Sequence, residues 1–489
     1  MTAALSLPRP AWLSPRVART EVLAGLVVAL ALIPEAISFS IIAGVDPRVG
    51  LFASFTMAVT IAFTGGRPAM ISAATGAIAL VIAPLVESHG LPYLVAAVLL
   101  GGVFQVALGL LGVAKVMRFV PRSVMVGFVN ALAILIFTAQ LPQLVDVPWA
   151  VYPLAAVGLV VVFGLPRLTT AVPAPLVAIV LLTVFTVTVG VSVPTVGDEG
   201  ELPDSLPGLG LPDVPFTLDT LRVIAPYALA IALVGLMESL MTAKLVDELT
   251  DTTSSKTRES IGQGIANLVT GAFGGMGGCA MIGQTMINVR SGARTRLSTL
   301  LAGVFLLVLV MALSPVVAVI PMAALVAVMV FVSIATFDWH SLRTLRRMPR
   351  SETAVMLVTV AVVLATSNLA IGVGVGVLVA CVLFARRVAH LVTVTPVDEP
   401  DGGRRYVVRG ALFFASTNDM VGRFDYAGDP DRVVVELSGA HVWDASSVAV
   451  LDAVAHKYAL RGKTVQLTGL TEVTGHYHDR LAGRLGGGE

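Results

Sequence analysis

From residue 20 to about 390 the chain alternates long apolar runs with short polar or glycine-rich breaks. The runs recur at the length a helix needs to cross a bilayer, roughly 17–25 residues. Spans are predicted at about 20–42, 48–64, 71–88, 91–112, 121–142, 149–165 and 173–190. After a long polar connection they resume at 220–246, 260–274, 280–292, 297–315, 318–336, 351–367 and 369–388, giving fourteen in all. The third and tenth are short. Beyond Arg387 the texture changes: RRYVVRGALFFAS alternates like a strand, RVVVELSGA reads as a buried strand, SSVAVLDAVAHKYALRG keeps a helical period and KTVQLTGL is strand again. Strands alternating with helices predict a small soluble α/β domain over about 395–485. Residues 1–19 form an N-terminal segment and 20–390 the transmembrane domain.

Basic residues set the orientation. Lys115, Arg118 and Arg122 lie between spans four and five, and Arg167 follows span six. Lys244, Lys256 and Arg258 follow span eight, and Arg290, Arg294 and Arg296 follow span ten. Arg343, Arg346, Arg347 and Arg350 follow span twelve, and Arg386 and Arg387 follow span fourteen. With both termini cytoplasmic, all of these fall inside. The connection 191–220 carries Asp198, Glu199, Glu201, Asp204, Asp213 and Asp219 without a basic residue and falls outside. It separates halves of about 20–190 and 220–390 with seven spans each, so the second half enters the membrane in the opposite sense, the pattern of an inverted repeat. An internal echo supports this: GGRPAMISAATGA (Gly65–Ala77) opens the third span and GGMGGCAMIGQTM (Gly274–Met286) opens the tenth, the third of its own half.

Composition agrees with the spans. The 489 residues are 56% hydrophobic and 13% charged, against about 25% charged in soluble domains. A net charge of +1 argues against a nucleic-acid partner. Arg9, Arg16 and Arg19 precede the apolar run from Val22 to Ala43, which is longer than a signal-peptide core and reads as an uncleaved first span. Cys279 and Cys381 sit in apolar surroundings and read as small buried hydrophobes. No zinc or redox spacing and no catalytic constellation is present, so neither a cofactor nor an enzyme is expected.

The glycine-rich breaks carry the candidate chemistry. Each glycine inside a helix costs about 1 kcal/mol against alanine, and unpaired backbone in hydrocarbon costs several kcal/mol per group, so irregular chain at membrane depth belongs where protein encloses it or a cavity is lined. A helix starting within the membrane aims free N–H groups and about half a positive charge at what lies ahead of it, which suits an anion. Ser72, Ala73, Ala74, Thr75, Gly283, Gln284 and Thr285 are the small or donor-bearing residues there; close helix packing is the competing explanation for the glycines. Two acids sit inside apolar runs, Glu35 directly after Pro34 in span one and Glu238 in span eight, each in the first span of its half. Pro34 is expected to kink or break its span. At about 6 Å and an effective dielectric near 20, an ionised glutamate repels a bound anion by ~3 kcal/mol, so protonation and anion binding assist one another. A structural hydrogen bond to a broken helix end is the competing role. Phe39, one turn beyond Glu35, either walls the site or packs.

These stretches resemble the sulphate permease (SulP) family of solute-carrier anion transporters over nearly the whole chain. PEAISFSIIAGVDPRVGLFASF is similar to its first-to-second-span signature, MESLMTAKLVDELT with RESIGQGIANLVTGAFGGMGG to its eighth-to-tenth-span segment, and NVRSGARTRLS to the tail of span ten. VVRGALFFAS and VVVELSGAHVWDASSVAVLDAV resemble a C-terminal STAS domain. The resemblance implies an α-helical polytopic membrane protein with fourteen segments in a seven-plus-seven inverted repeat, the fold shared with uracil permeases. It implies a core domain (spans 1–4 and 8–11), a gate domain (5–7 and 12–14) and a homodimer in the cytoplasmic membrane. It puts substrate between the starts of spans three and ten, with Phe39, Ala74, Thr75, Gly283, Gln284 and Thr285 in or beside the site and Glu35 and Glu238 as proton-coupling acids. Many relatives carry glutamine where Glu35 stands and arginine where Gln284 stands. The exchange of a fixed positive charge for a titratable acid favours proton-coupled symport of a carboxylate, dicarboxylate, bicarbonate or sulphate over an uncoupled channel or exchanger, or a nucleobase permease. Sodium is left open as the coupling ion. In the STAS resemblance Asp444-Ala445-Ser446-Ser447 matches a phosphorylated motif, with a helix N-cap as the competing reading and a cytoplasmic regulator as the partner. His340, His390, His476 and His478 have no metal-like company and carry no assignment.

Overall fold

The structure is a computed structural model that describes residues 14–112, 120–169, 173–203, 205–345, 347–389 and 392–470. Lys115, Arg118, Asp204, Arg346, His390, His476 and His478 lie outside the described residues. The chain divides into two compact units, one reaching Val377 and one starting at Leu378.

The first unit begins with α1 (Pro15–Ala43) and α2 (Pro47–Thr64), followed by the two-residue strand β1 (Ser72–Ala73) and α3 (Gly76–Leu110). Spans three and four both lie in α3, which turns at Gly90, a glycine with φ 77° that an L side chain would strain. Then come α4 (Arg122–Thr138), α5 (Val151–Gly164), α6 (Ala174–Val189), α7 (Leu218–Thr250) and α8 (Lys256–Ala272). The second short strand, β2 (Cys279–Ala280), leads into α9 (Ile282–Arg290). The rest is α10 (Leu297–Ala318), α11 (Met322–Thr336), the short α12 (Trp339–Thr344), α13 (Arg350–Thr366) and the start of α14 (Leu369–Ala389), which continues into the second unit from Leu378.

Every predicted span thus corresponds to a helix. By length and composition eight helical stretches among the described residues suffice to cross a membrane, and α5 and α6 are shorter apolar helices. The others fall short for physical reasons. Helix α9 has only nine residues, and α8 buries Glu259, Gln263, Asn267 and Thr270 rather than presenting an apolar surface. Two packing groups result: α1, α2, α3, α7, α8 and α10 pack on one another, while α4 packs on α13 and α11, and α11 on α5 and α6.

Of the kink or break expected at Pro34, the break does not occur, because α1 runs helically from Pro15 to Ala43 with Pro34 inside it. The proline forfeits a single ladder bond, Ser38 Oγ donates to the Pro34 carbonyl at 2.8 Å, and packing against α2, α3 and α10 holds the helix on several sides. The helix instead ends at Gly44, φ 73°, whose N–H reaches back to Ile41.

The second unit holds a four-stranded sheet of β3 (Thr393–Asp398), β4 (Arg404–Leu412), β5 (Arg432–Val442) and β6 (Thr464–Thr468), in that order, with α15 (Thr417–Val421) and α16 (Ala445–Ala459) as its helices. The first pair is antiparallel and the next two are parallel. The strand–helix alternation forces this, since parallel neighbours need a crossover. Its core combines Val408, Val433, Val435, Leu437, Leu451 and Tyr458. Asp429 is buried with them and accepts from the hydroxyls of Tyr406 at 2.8 Å and Tyr458 at 2.5 Å. Asp444 is the N-cap of α16, accepting from the Ser447 N–H at 2.9 Å and its hydroxyl at 2.7 Å.

Candidate functional site

The two breaks face each other. Strands β1 and β2 pair antiparallel, Ser72 opposite Ala280 and Ala73 opposite Cys279, and each leads within a few residues into a helix start. The Met281 N–H adds a bond to the Ile71 carbonyl at 2.8 Å. The segments correspond as the internal echo indicated, but not letter for letter. Ala69, Met70 and Ile71 precede β1, whereas the matching Ala280, Met281 and Ile282 run from β2 into α9. Main-chain pairing sets the register, and the repeated letters do not.

Glycine makes the close approach feasible. A Cβ on Gly278 would lie 2.0 Å from the Ala73 carbonyl oxygen. Most main-chain groups freed by the breaks are then satisfied by buried side chains from distant helices. Asn267 accepts from the Gly278 N–H at 2.9 Å, donates to the Gly278 carbonyl at 3.0 Å and donates to Gln105 Oε1 at 2.8 Å. Glu259, fully buried, accepts from the N–H groups of Gly66 at 2.7 Å and Arg67 at 3.0 Å. Gln263 donates to Glu259 and to Ser72 Oγ, Ser54 accepts from the Ala74 N–H, and Ser239 from the Ala280 N–H. Glu21 accepts from Arg294, Thr295 and Ser298 where the chain re-enters at α10.

What remains unpaired is informative. Thr75 caps α3, its Oγ1 accepting from the Ile78 N–H at 3.4 Å. The N–H groups of Gly76 and Ala77 on α3, and of Ile282, Gly283 and Gln284 on α9, meet no acceptor among the described residues. These are the orphan donors of two helix starts, brought together by the strand pairing. Gly283 is exposed and nothing lies within 4 Å of where its Cβ would be, so α9 starts beside open space.

The expected site residues collect around these ends. Phe39 lies against Gly76, where a Cβ would be 2.8 Å from its ring, and Ile136 of α4 touches the same glycine. Glu35, one turn earlier on α1, lies beside the buried Gln284 side chain. Ala74 and Thr75 are buried in the turn into α3. Thr285 is fully buried and its hydroxyl is spent on Ile71, accepting its N–H at 3.0 Å and facing its carbonyl at 3.4 Å. Farther along α1, Ser38, Ile41 and Ile42 border a cavity of about 300 Å³ lined on its other side by Gln140 and by Met322 and Leu325 of α11. It lies between the two packing groups. No cluster of three or more His, Cys, Asp or Glu able to hold a metal ion occurs among the described residues.

Glu238 is buried and accepts from Cys279 Sγ at 2.9 Å, and the same sulfur is 3.1 Å from Thr75 Oγ1. This corrects the reading of Cys279 as a small buried hydrophobe: its polar S–H links the acid of α7 to the cap of α3. The usable signal was its setting, one polarisable side chain within a run of glycines. Gln105, Glu259, Gln263 and Asn267 were also missed, because their partners lie far off along the chain.

Residues 19–153 and 143–359 match the Sulfate permease family. The chain is 55% identical over 456 residues to the putative sulfate transporter YbaR of Bacillus subtilis, covering 93% of this chain and 95% of that protein. Among solved structures, the transmembrane domain of a cyanobacterial bicarbonate transporter, BicA, aligns with a TM-score of 0.64 at 27% identity, over 75% of this chain and 98% of that one. The murine Slc26a9 anion transporter in its inward-facing state aligns with a TM-score of 0.83 at 16% identity, over 98% of this chain and 92% of that one, a likeness of fold. These relatives are named as transporters.

Proposed function

The chain belongs to the sulfate permease family, and on that premise we propose that it is a secondary active transporter of small anions, working by alternating access in symport with protons. The observation that carries the anion reading is the pair of facing helix starts with unpaired N–H groups at Gly76 and Ala77 and at Ile282, Gly283 and Gln284. Together they supply roughly one positive charge without a basic side chain, a site that attracts anions and rejects cations. Phe39 closes it on one side, and Ala74 and Gly283 keep it free of bulk.

Proton coupling rests on Glu35, beside Gln284 at the start of α9, and Glu238, one thiol away from the cap of α3. Each acid repels an anion when ionised and stops doing so when protonated, so the two ligands favour each other. The substrate class is a carboxylate or dicarboxylate, bicarbonate or sulphate; the relatives are named for sulfate and bicarbonate. Residues 20–390 form the transport domain, α4–α6 and α11–α14 being the gate against which the remaining helices move. Both termini face the cytoplasm, residues 395–485 form a STAS domain that engages a cytoplasmic regulator, and the protein works as a homodimer in the cytoplasmic membrane.

The test is uptake into proteoliposomes of radiolabelled sulfate, bicarbonate and fumarate, with and without an acid-outside pH gradient. Concentrative uptake that collapses with the gradient supports the reading. A sodium requirement in place of the gradient reassigns the coupling ion, and fast uncoupled current with no accumulation refutes symport.

A further inference from the structure

The contacts around Cys279 fix the direction of a short hydrogen-bond chain. A thiol has one proton to donate. In the structure Cys279 Sγ donates to Glu238 Oε2 at 2.9 Å. Toward Thr75 the sulfur can then only accept, so the Thr75 hydroxyl proton points at Cys279. The Thr75 oxygen in turn accepts from the Ile78 N–H. With Glu238 ionised, Thr75 has no proton left for a ligand at the start of α3.

Now place a proton on Glu238. The carboxyl becomes a donor toward Sγ, the S–H swings to the Thr75 oxygen, and the Thr75 hydroxyl is released toward the unpaired N–H groups of Gly76 and Ala77. Every proton stays on its own atom, and only the direction of donation reverses. We propose that Cys279 is a positioning residue that converts protonation of Glu238 into one additional hydrogen-bond donor, the Thr75 hydroxyl, for the anion. This rests on the proton-symport reading and adds a route to it: the proton removes a repulsion and also supplies a donor.

Among the described residues on the elements packed against α7, no ionisable group other than Cys279 reaches Glu238, and Glu35 of α1 lies at the other helix start, beside Gln284. Helix α7 packs on α3, α8, α9 and β2. Of the ionisable side chains on those elements, only Cys279 touches Glu238. On α8, Glu259 is taken by Gly66, Arg67 and Gln263, and Lys256 pairs with Asp247 of α7. Arg258 bonds the carbonyls of Phe63 and Thr64. On α3, His89 contacts Ser88 and Tyr93, Glu87 is exposed, and on α9 Arg290 is exposed. On α7 itself, Lys244 pairs with Glu248, and Asp219 with Arg222.

The experiment measures apparent KM for sulfate, bicarbonate and fumarate in proteoliposomes between about pH 8 and about pH 6, for the unmutated protein, Cys279→Ala and Cys279→Ser. One coupled proton changes apparent affinity by up to about tenfold per pH unit. Cys279→Ser retains a donor and an acceptor and keeps that response; Cys279→Ala keeps only the relief of repulsion at Glu35 and Glu238, so its response over the window is several-fold smaller than that of the unmutated protein. An alanine variant with the unmutated response overturns the proposal, as does a serine variant that loses it. If the unmutated protein accumulates none of these anions in response to a pH gradient, the symport reading itself fails, a result distinct from either variant outcome. An infrared measurement needs no change at Cys279. In a Cys381→Ser background the remaining S–H stretch shifts on acidification as its acceptor changes from carboxylate to hydroxyl, and a band that stays fixed overturns the proposal.

Discussion

Ala73 and Cys279 stand opposite one another in a two-residue antiparallel pairing that joins the break in one half of the chain to the break in the other. The pairing leaves two helix starts side by side, and its tolerance for substitution differs sharply between neighbouring glycines.

Gly278→Ala places a methyl group 2.0 Å from the Ala73 carbonyl oxygen, a main-chain atom that cannot move aside. Overpacking of this kind costs about 1–3 kcal/mol. The expected result is a lowered unfolding temperature in detergent and lost transport. Gly283→Ala meets nothing within 4 Å and sits in the first turn of α9, so stability holds or rises by up to about 1 kcal/mol. Its methyl occupies the open space before the helix start, and apparent KM for the transported anion rises. Equal unfolding temperatures for the two variants would contradict the geometry.

Asn267 serves both main-chain groups of Gly278 as well as Gln105. Asn267→Leu leaves three buried groups unpaired, at about 1–3 kcal/mol each before relaxation. Among the described residues Gln105 bonds Asn267 and, at a long 3.5 Å, the Ile231 carbonyl. Gln105→Leu is therefore the milder change, and thermal unfolding of the two variants should rank them in that order.

Glu35→Gln keeps the shape beside Gln284 and removes the titratable proton. Uptake then becomes indifferent to an imposed pH gradient while the purified protein keeps its unfolding temperature. Glu238→Gln has the same effect on coupling. Fully gradient-driven uptake in both variants would refute the coupling role of these acids.

In the second unit, burial first and the bond to Asp429 next push the Tyr458 phenol above its ordinary range, and Tyr406 shifts the same way. A raised pKa contributes stability that is intact below the unfolded value near 10 and is lost as pH rises above it. Tyr458→Phe removes one donor to Asp429 and costs about 1–3 kcal/mol at neutral pH. Denaturant unfolding of the full chain should show that loss, with a shallower decline at alkaline pH than in the unmutated protein.

Most spans were legible because a helix that crosses the bilayer must fill it with apolar residues, and the breaks because glycine is costly in helices. The handover from membrane helices to strands near Arg387 was legible from the change of period. Partners were not. Glu259 sits in the polar string TSSKTRES and looks like part of a loop, yet it is fully buried and holds the amides of Gly66 and Arg67. Nothing local to residue 259 indicates that residues 66 and 67 need an acceptor. Pro34 misled as to a break for the converse reason: its local cost was readable, while the helices packed around α1 were not.

The pairing of β1 with β2 also bears on how the protein is made. Ile71 and Ala73 leave the ribosome some two hundred residues before Met281 and Cys279, and Arg67 before its partner Asp247. Until the second half is inserted, the first holds an unmatched strand edge, costly against lipid. Neither half is a finished object alone. Truncation after the acidic connection should therefore yield a polypeptide cleared by membrane proteases.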